Sequence, residues 1–324
     1  MTRISGTIAP SVVLGGTSAN PSDPRLCNQL RPVDAERIDV ALLGVPFDQG
    51  ITMGGGRPGA AEGPTAFRRA LRRFGTTYDL ELDVDLGALR LADAGDVAVV
   101  PDDVGATHDR VTTAASAAFE QAHTVVVVGG GNDASFATVR ALAERGAVGG
   151  VNVDAHFDVR EVVRGRLTSG TPFRRVLTEL GVPGARFAEL GAHPAVNARA
   201  HRQWLGEQGA TVVPLGALRQ RGPGAVLASE LARLEAASEA LFVSIDLDVL
   251  AACYAPGVSA PGTVGLTPEE ARELAIEAGR SPKVRLFELM ELSPPNDLDD
   301  RTARLAVMLF ASFLAGRAER RTRP

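Results

Sequence analysis

Val151-Asn-Val-Asp-Ala-His-Phe-Asp-Val159 is the stretch on which the reading of this chain turns. Its apolar start predicts a buried strand, and its end carries polar, metal-type residues. Asp154, His156 and Asp158 occupy alternate positions. On an extended backbone alternate side chains point the same way, so two carboxylates and an imidazole converge on one small volume. Such a cluster repels itself unless a cation neutralises it. Leu241-Phe-Val-Ser-Ile-Asp-Leu-Asp248 has the same shape, with Asp246 and Asp248 alternating after an apolar run. An Asp after a strand is often only a helix cap or turn residue. That plainer account suits Asp246 and Asp248 taken alone, but not an Asp-x-His-x-Asp run that closes an apolar strand. Two strands ending in acidic residues point to one shared metal site.

Outward from these strands, apolar runs alternate with helical spacing along most of the chain. Strands are predicted at 39–45, 124–128, 148–153, 187–190, 210–214, 240–247 and 284–292, with weaker signals over 86–100. Helices are predicted at 64–74, 104–121, 134–145, 171–180, 197–208, 225–238, 267–278 and 301–317. Thr267-Pro-Glu-Glu270 is an N-terminal helix signal. Continuous apolar strands belong to a sheet covered on both faces. The expected fold is a single three-layer α/β/α domain with a mostly parallel sheet over 38–317. An extended arm over 1–37 precedes it, and a basic, solvated tail over 318–324 follows. Ligands in such sheets bind outside the carboxyl ends of the strands. Asn132, Asp154, His156, Asp158, Asp246, Asp248 and Glu291 all lie there. The Gly-rich stretch 46–60 reads as a loop at the rim of the site; it lacks the Gly-Lys-Ser/Thr ending of a phosphate cradle.

Composition narrows the class. The chain has 324 residues, 45% of them hydrophobic and 23% charged, with a net charge of −5. The balance is that of a globular protein and offers no electrostatic reason for a nucleic acid or membrane partner. Cys27 and Cys253 are far apart, so a disulfide framework is not expected and a reducing cytoplasm is the default. No signal peptide or bilayer-length apolar run is visible. Lys283, the only lysine, lies in a polar Ser-Pro-Lys turn, a poor place for Schiff-base chemistry.

The combined motifs resemble the arginase/agmatinase (ureohydrolase) family over nearly the whole chain. They are the Gly-Gly loop at 129–131, Asp154-Ala-His-Phe-Asp158, Ser244-Ile-Asp-Leu-Asp248 and Met290-Glu-Leu292. Within that family, Asp154-Ala-His-Phe-Asp-Val-Arg160, Ser169-Gly-Thr-Pro-Phe173, Ala255-Pro-Gly-Val-Ser-Ala-Pro261 and Asp297-Leu-Asp-Asp-Arg-Thr-Ala303 look like the formimidoylglutamase branch. The resemblance implies two Mn²⁺ per subunit and a trimer or hexamer. It implies that Asp154 and Asp246 bridge the ions, that His156 and Asp248 complete one position, and that Asp158 and residue 132 complete the other. Asn132 stands where the family pattern has a ligand His, which sets one position apart. An amide oxygen binds a hard cation more weakly than imidazole does at a mixed site. Asp133 is the alternative ligand if the loop shifts.

The implied reaction is hydrolysis of a C–N bond in an amidine, N-formimidoyl-L-glutamate giving L-glutamate and formamide, with metal-bound hydroxide as nucleophile. Asp158 would orient that nucleophile, and Glu291 would bind the cationic amidine. Arg160 would pair with a substrate carboxylate, against the plainer reading of a structural salt bridge. Ser169 would line the substrate site in place of the proton-transferring His of guanidine-hydrolysing relatives. His193 would line the site, whereas His108, His123 and His201 are read as surface residues. Two alternatives stay open: a guanidino-compound hydrolase that releases urea, and a metal-poor non-catalytic homologue.

Overall fold

The computed structural model describes residues 4–15, 20, 22–33 and 38–322. Its strands are β1 (Thr7–Ile8), β2 (Leu30–Pro32), β3 (Ile38–Val45), β4 (Tyr78–Asp79), β5 (Val84–Asp85), β6 (Leu91–Val97), β7 (Ala122–Gly129), β8 (Val148–Val153), β9 (Phe187–Ala192), β10 (Thr211–Pro214), β11 (Ala240–Asp246) and β12 (Val284–Met290). Its helices are α1 (Gln49–Gly54), α2 (Gly63–Leu71), α3 (Val104–Gln121), α4 (Ala134–Ala143), α5 (Pro172–Thr178), α6 (Arg199–Glu207), α7 (Leu215–Arg221), α8 (Pro223–Glu235), α9 (Pro268–Arg280) and α10 (Arg301–Thr322).

One ten-stranded sheet runs in the order β1-β6-β3-β7-β12-β11-β8-β9-β10, with β2 also on β6. From β6 to β10 every neighbouring pair is parallel, and β1 alone is antiparallel, on β6. Alternate residues feed two separate cores. Leu241, Val243 and Ile245 pack with α8, α9 and α10 on one face, whereas Phe242 packs on the other with the side of the sheet that carries α3, α4 and α5. This is the α/β/α sandwich with a mostly parallel sheet that the continuous apolar runs imply. After β7 the chain skips two strand positions to form β8, and β11 and β12 later fill the gap. The carboxyl ends of β7, β12, β11 and β8 are therefore adjacent, which is the crevice where such sheets bind ligands.

Several local readings need correction. The glycine-rich loop contains α1, whose C-cap Gly55 is left-handed at φ 85°. The extended arm before Ile38 contributes β1 and β2 to the sheet edge. α7, absent from the sequence reading, starts directly after β10. α10 continues past Arg317 to Thr322, held by an Arg280–Glu319 ion pair at 2.7 Å and by Arg320 on the Ser281 carbonyl; residues 323–324 lie outside the described residues. The Thr267–Glu270 capping box is present in both directions. Lys283 Nζ is tied to the carbonyls of Glu235 and Ser238. Cys27 is buried and Cys253 exposed, both as free thiols. Among the described residues no helix is long and apolar enough to cross a membrane.

The last turn of α2 is locked to β6 by a buried ion triad. Arg68, 1% exposed, donates to Asp93 at 2.8 and 2.9 Å and to Asp96 at 2.6 Å. Removing one partner from a buried cluster leaves uncompensated charge. Arg68→Ala is expected to lower unfolding free energy by about 3–5 kcal/mol, read from the urea midpoint at constant m-value. A loss below about 1 kcal/mol would show that the triad is solvated.

Candidate metal centre

Four adjacent strand ends supply the site. The loop after β7 carries Asn132, that after β8 carries Asp154, His156 and Asp158, β11 ends in Asp246 just before Asp248, and Glu291 follows β12. All are buried except His156 and Asp158, which are half-buried. The turns are built for this. Asp154 Oδ1 accepts the His156 N–H at 2.6 Å, and Asp246 Oδ1 accepts the Asp248 N–H at 2.9 Å, so each strand's last carboxylate folds the following ligand back towards itself. Asn197, which the sequence reading placed only in a helix, clamps the same loop: its Oδ1 accepts from Phe157 N at 3.0 Å and its Nδ2 donates to the Ala155 carbonyl at 2.8 Å. Asp158 and Glu291 are left-handed, at φ 48° and 68°. Such backbone costs about 1–3 kcal/mol for a non-glycine residue, and here it aims both carboxylates inward.

Two groups of side chains each bring ligand atoms within 4.8 Å of one another: Asp154, His156 and Asp248, and Asp154, Asp158 and Asp246. Asp154 is common to both. Asp248 Oδ1 and Glu291 Oε2 are buried with no hydrogen-bond partner. Carboxylates with one imidazole form a hard-to-borderline donor set that suits Mn²⁺, and the orphaned oxygens lack only a positive partner. The residues therefore fit a pair of divalent cations.

Electrostatics give the same answer. Burial and neighbouring carboxylates push Asp158 and Asp246 well above the usual range, and they push Asp248 up to about 6. Burial pushes Glu291 up to about 8. Burial lowers the His156 pKa, but the charge of Asp248, 3.0 Å from Nδ1, together with Asp154 outweighs it and drives the imidazole up to about 12. The imidazolium thus stands in for a cation, and metal binding must displace its proton.

Asn132 joins the cluster through its nitrogen. Nδ2 donates to Asp158 at 2.8 Å and to Asp154 at 3.4 Å, while Oδ1 accepts from Ser135 Oγ at 2.8 Å. Asp133, the alternative ligand, lies outside both ligand groups. Its Oδ2 meets His108 Nε2 at 2.8 Å, and His108 is 2% exposed rather than a surface residue. Arg175 Nη1 donates to His108 Nδ1 at 3.2 Å; a guanidinium cannot accept, so the ring proton sits on Nε2. The Asn132 loop is pinned by glycine: Gly130 N donates to the Val45 carbonyl at 2.7 Å, and a Cβ there would lie 1.8 Å from the Phe47 carbonyl oxygen.

Below the ligands lies a polar row that the sequence does not announce. Glu288, Ser244, Asn152 and Glu189 are register partners across β12, β11, β8 and β9, and all are buried. Asn152 Nδ2 donates to Asp154 Oδ2 at 3.2 Å and to Glu189 Oε2 at 3.1 Å. The site opens into a cavity of about 190 Å³ lined by His156, Asp158, Arg160, Ser169, Asp248 and Glu291, among others. A second cavity of about 660 Å³ shares Arg160 and adds Arg164 and Arg166. His193 lies aside, with Nε2 on the Val249 carbonyl at 3.1 Å, where it supports the turn that carries Asp248.

Comparison with known proteins agrees with this geometry. A family model described as the arginase family matches residues 38–316. The chain is 38% identical over 318 residues to a formimidoylglutamase of Halobacterium salinarum, covering 93% of this chain and 96% of that one. It is similar to the crystal structure of Trypanosoma cruzi formiminoglutamase with Mn²⁺, at TM-score 0.85 and 35% identity over 93% of this chain and 100% of that chain. It is also similar to the formimidoylglutamase structure from Bacillus subtilis, at TM-score 0.85 and 27% identity over 93% and 94% of the two chains.

The raised carboxylate pKa values set a pH dependence. A carboxylate that binds its proton more tightly in the folded state gives stability that is present below its unfolded pKa and is lost as pH rises through the folded one. Without metal, the melting temperature is expected to fall from about pH 4, where unfolded carboxylates titrate, to about 8, where Glu291 does. Excess Mn²⁺ binds the ionised ligands and is expected to reverse that slope by mass action. Parallel melting curves with and without Mn²⁺ across this range would contradict the assignment.

Proposed function

The chain belongs to the arginase family, and from that membership we propose that it is a manganese-dependent hydrolase that converts N-formimidoyl-L-glutamate to L-glutamate and formamide. The observation that carries this reading is the pair of ligand groups sharing Asp154, set beside a buried Glu291 whose Oε2 has no partner. Asp154 and Asp246, with His156 and Asp248 on one side and Asp158 and Asn132 on the other, would hold two Mn²⁺. When bound, the ions supply Lewis acidity and a water of near-neutral pKa.

The protein's own groups bind and orient the substrate. Glu291 Oε1 is occupied by the Asn132 N–H at 2.8 Å, which fixes the carboxylate and leaves Oε2 to receive an amidine N–H. Carboxylate–amidinium pairing is charge-assisted and directional. Arg160 lines both cavities and would pair with a substrate carboxylate. Arg164 and Arg166 make the outer cavity more basic, with Glu161 as its acidic residue. That balance suits a substrate with two carboxylates and disfavours a cationic guanidine such as agmatine. Ser169 lines the inner cavity and has no basic nitrogen to carry a proton, in keeping with an amidine that leaves formamide. Water adds to the formimidoyl carbon, the bond to the glutamate nitrogen breaks, and that nitrogen takes the proton.

We place the enzyme in the cytoplasm as a homo-oligomer, trimer or hexamer. Two free thiols without a disulfide framework support the first, and family membership supports the second.

The test is a product assay with Mn²⁺-loaded protein. Formamide and glutamate from N-formimidoyl-glutamate are expected, and release of urea from agmatine or arginine in their place would favour the guanidino alternative. Arg160→Ala is expected to raise KM about 10–100-fold with a smaller change in kcat, as for loss of a charged hydrogen bond. Glu291→Gln is expected to lower kcat/KM by about 100-fold or more. Unchanged kinetics in both variants would remove these residues from the substrate site.

A further inference from the structure

Asn132 is chemically two-faced: its oxygen can ligate a cation and its nitrogen cannot. In the structure the nitrogen faces Asp158 and Asp154, and the oxygen faces the Ser135 hydroxyl. A half-turn of the amide reverses both contacts. Oδ1 then faces the second cation position, and Nδ2 must donate to Ser135 Oγ. Ser135 can accept that bond only by sending its own proton elsewhere.

The acceptor is in place. Glu288, 0% exposed at the end of the polar row, has Oε1 held by the Thr138 hydroxyl at 2.6 Å and Oε2 without a partner. Burial pushes Glu288 up to about 7, against the pull of the Thr138, Ser135 and Ser244 hydroxyls around it, of which Thr138 makes the hydrogen bond. Ser135 thus stands between Asn132 and a buried oxygen that lacks a donor, with Ser244 Oγ also 3.5 Å away. In the present arrangement Ser135 donates to Asn132 and Glu288 Oε2 goes short. In the reversed one, Asn132 donates to Ser135 and Ser135 donates to Glu288, so the Asn132 amide, the Ser135 hydroxyl and Glu288 Oε2 all have partners once a cation meets Oδ1.

We propose that Glu288 and Ser135 are positioning residues that select the amide orientation of Asn132 and so set the affinity of the second cation position. This inference rests on the two-cation reading above. Neither residue touches cation or substrate; they act through the direction of one hydrogen bond.

Glu288→Gln tests it. Thr138 holds the amide oxygen of the new side chain, so its NH₂ turns to Ser135. Ser135 must then donate to Asn132 Oδ1, and the nitrogen is left facing the metal position. Stepwise Mn²⁺ binding, followed by calorimetry and by the EPR signal of free Mn²⁺, is expected to show the weaker ion bound about tenfold less tightly. The tighter ion, and with it the integrity of the fold, should stay within about twofold. Asn132→Asp removes the choice, because both of its terminal atoms are oxygens. In that background Glu288→Gln is expected to change the weaker affinity by less than about twofold. An equal loss in both backgrounds, or no loss in either, would overturn the orientation role while two ions still bind. Failure of the unsubstituted protein to bind any Mn²⁺ would overturn the two-cation reading as well.

Discussion

Asp154, Asp158, Asp246, Asp248 and Glu291 face one small volume at the carboxyl ends of four adjacent strands, and their mutual repulsion is the constraint on which the rest of the structure depends. Among the described residues no buried guanidinium or ammonium is set between them. Of the described residues of the cluster His156 is the one that can carry positive charge, and the carboxylates around it drive its pKa up to about 12. Folding tolerates the cluster because the sheet order leaves no other place for these residues. β11 and β12 are inserted between β7 and β8, so the loops that follow all four strands must meet.

The cost is spread over the surroundings. Left-handed backbone at Asp158 and Glu291 stores strain where the chain turns inward. Gly130 lets the Asn132 loop lie against Val45 and Phe47. The row Glu288, Ser244, Asn152 and Glu189 supplies polar groups directly beneath the ligands, with carboxylates at both ends of the row. A metal site is set by the partners of its ligands as much as by the ligands. Here one end of that row reaches Asp154 through Asn152, and the other is set to reach Asn132 through Ser135.

Much of this was legible in the sequence, for a physical reason. Val148–Val153 and Ala240–Asp246 are apolar runs closed by acidic residues, so the pattern reveals the strands and marks the candidate ligands. The ligands converge through turns rather than through strand period, since Asp158 is left-handed and Asp248 lies in a tight turn after Asp246. α1 was hidden because Gly50, Gly54 and Gly55 lower helix propensity, and α7 because it follows β10 without a loop to mark it. His108 looked like a polar residue on a helix surface; only the packing of α3 against α4 buries it beside Asp133. The choice between Asn132 and Asp133 could not be read from adjacent letters, since it depends on which one the loop turns inward. The polar row was invisible for the same reason. Glu288, Ser244, Asn152 and Glu189 are scattered over the last two thirds of the chain, and only strand register brings them into line.

The central claim is that two cation positions share Asp154. The most direct measurement is Mn²⁺ bound per chain in Asp154→Ala beside Asp158→Asn, after equilibration with excess metal and removal of the free ion. Loss of both ions in the first variant and of one in the second is the expected result. Retention of a full ion in Asp154→Ala would contradict the shared ligand and separate the two positions.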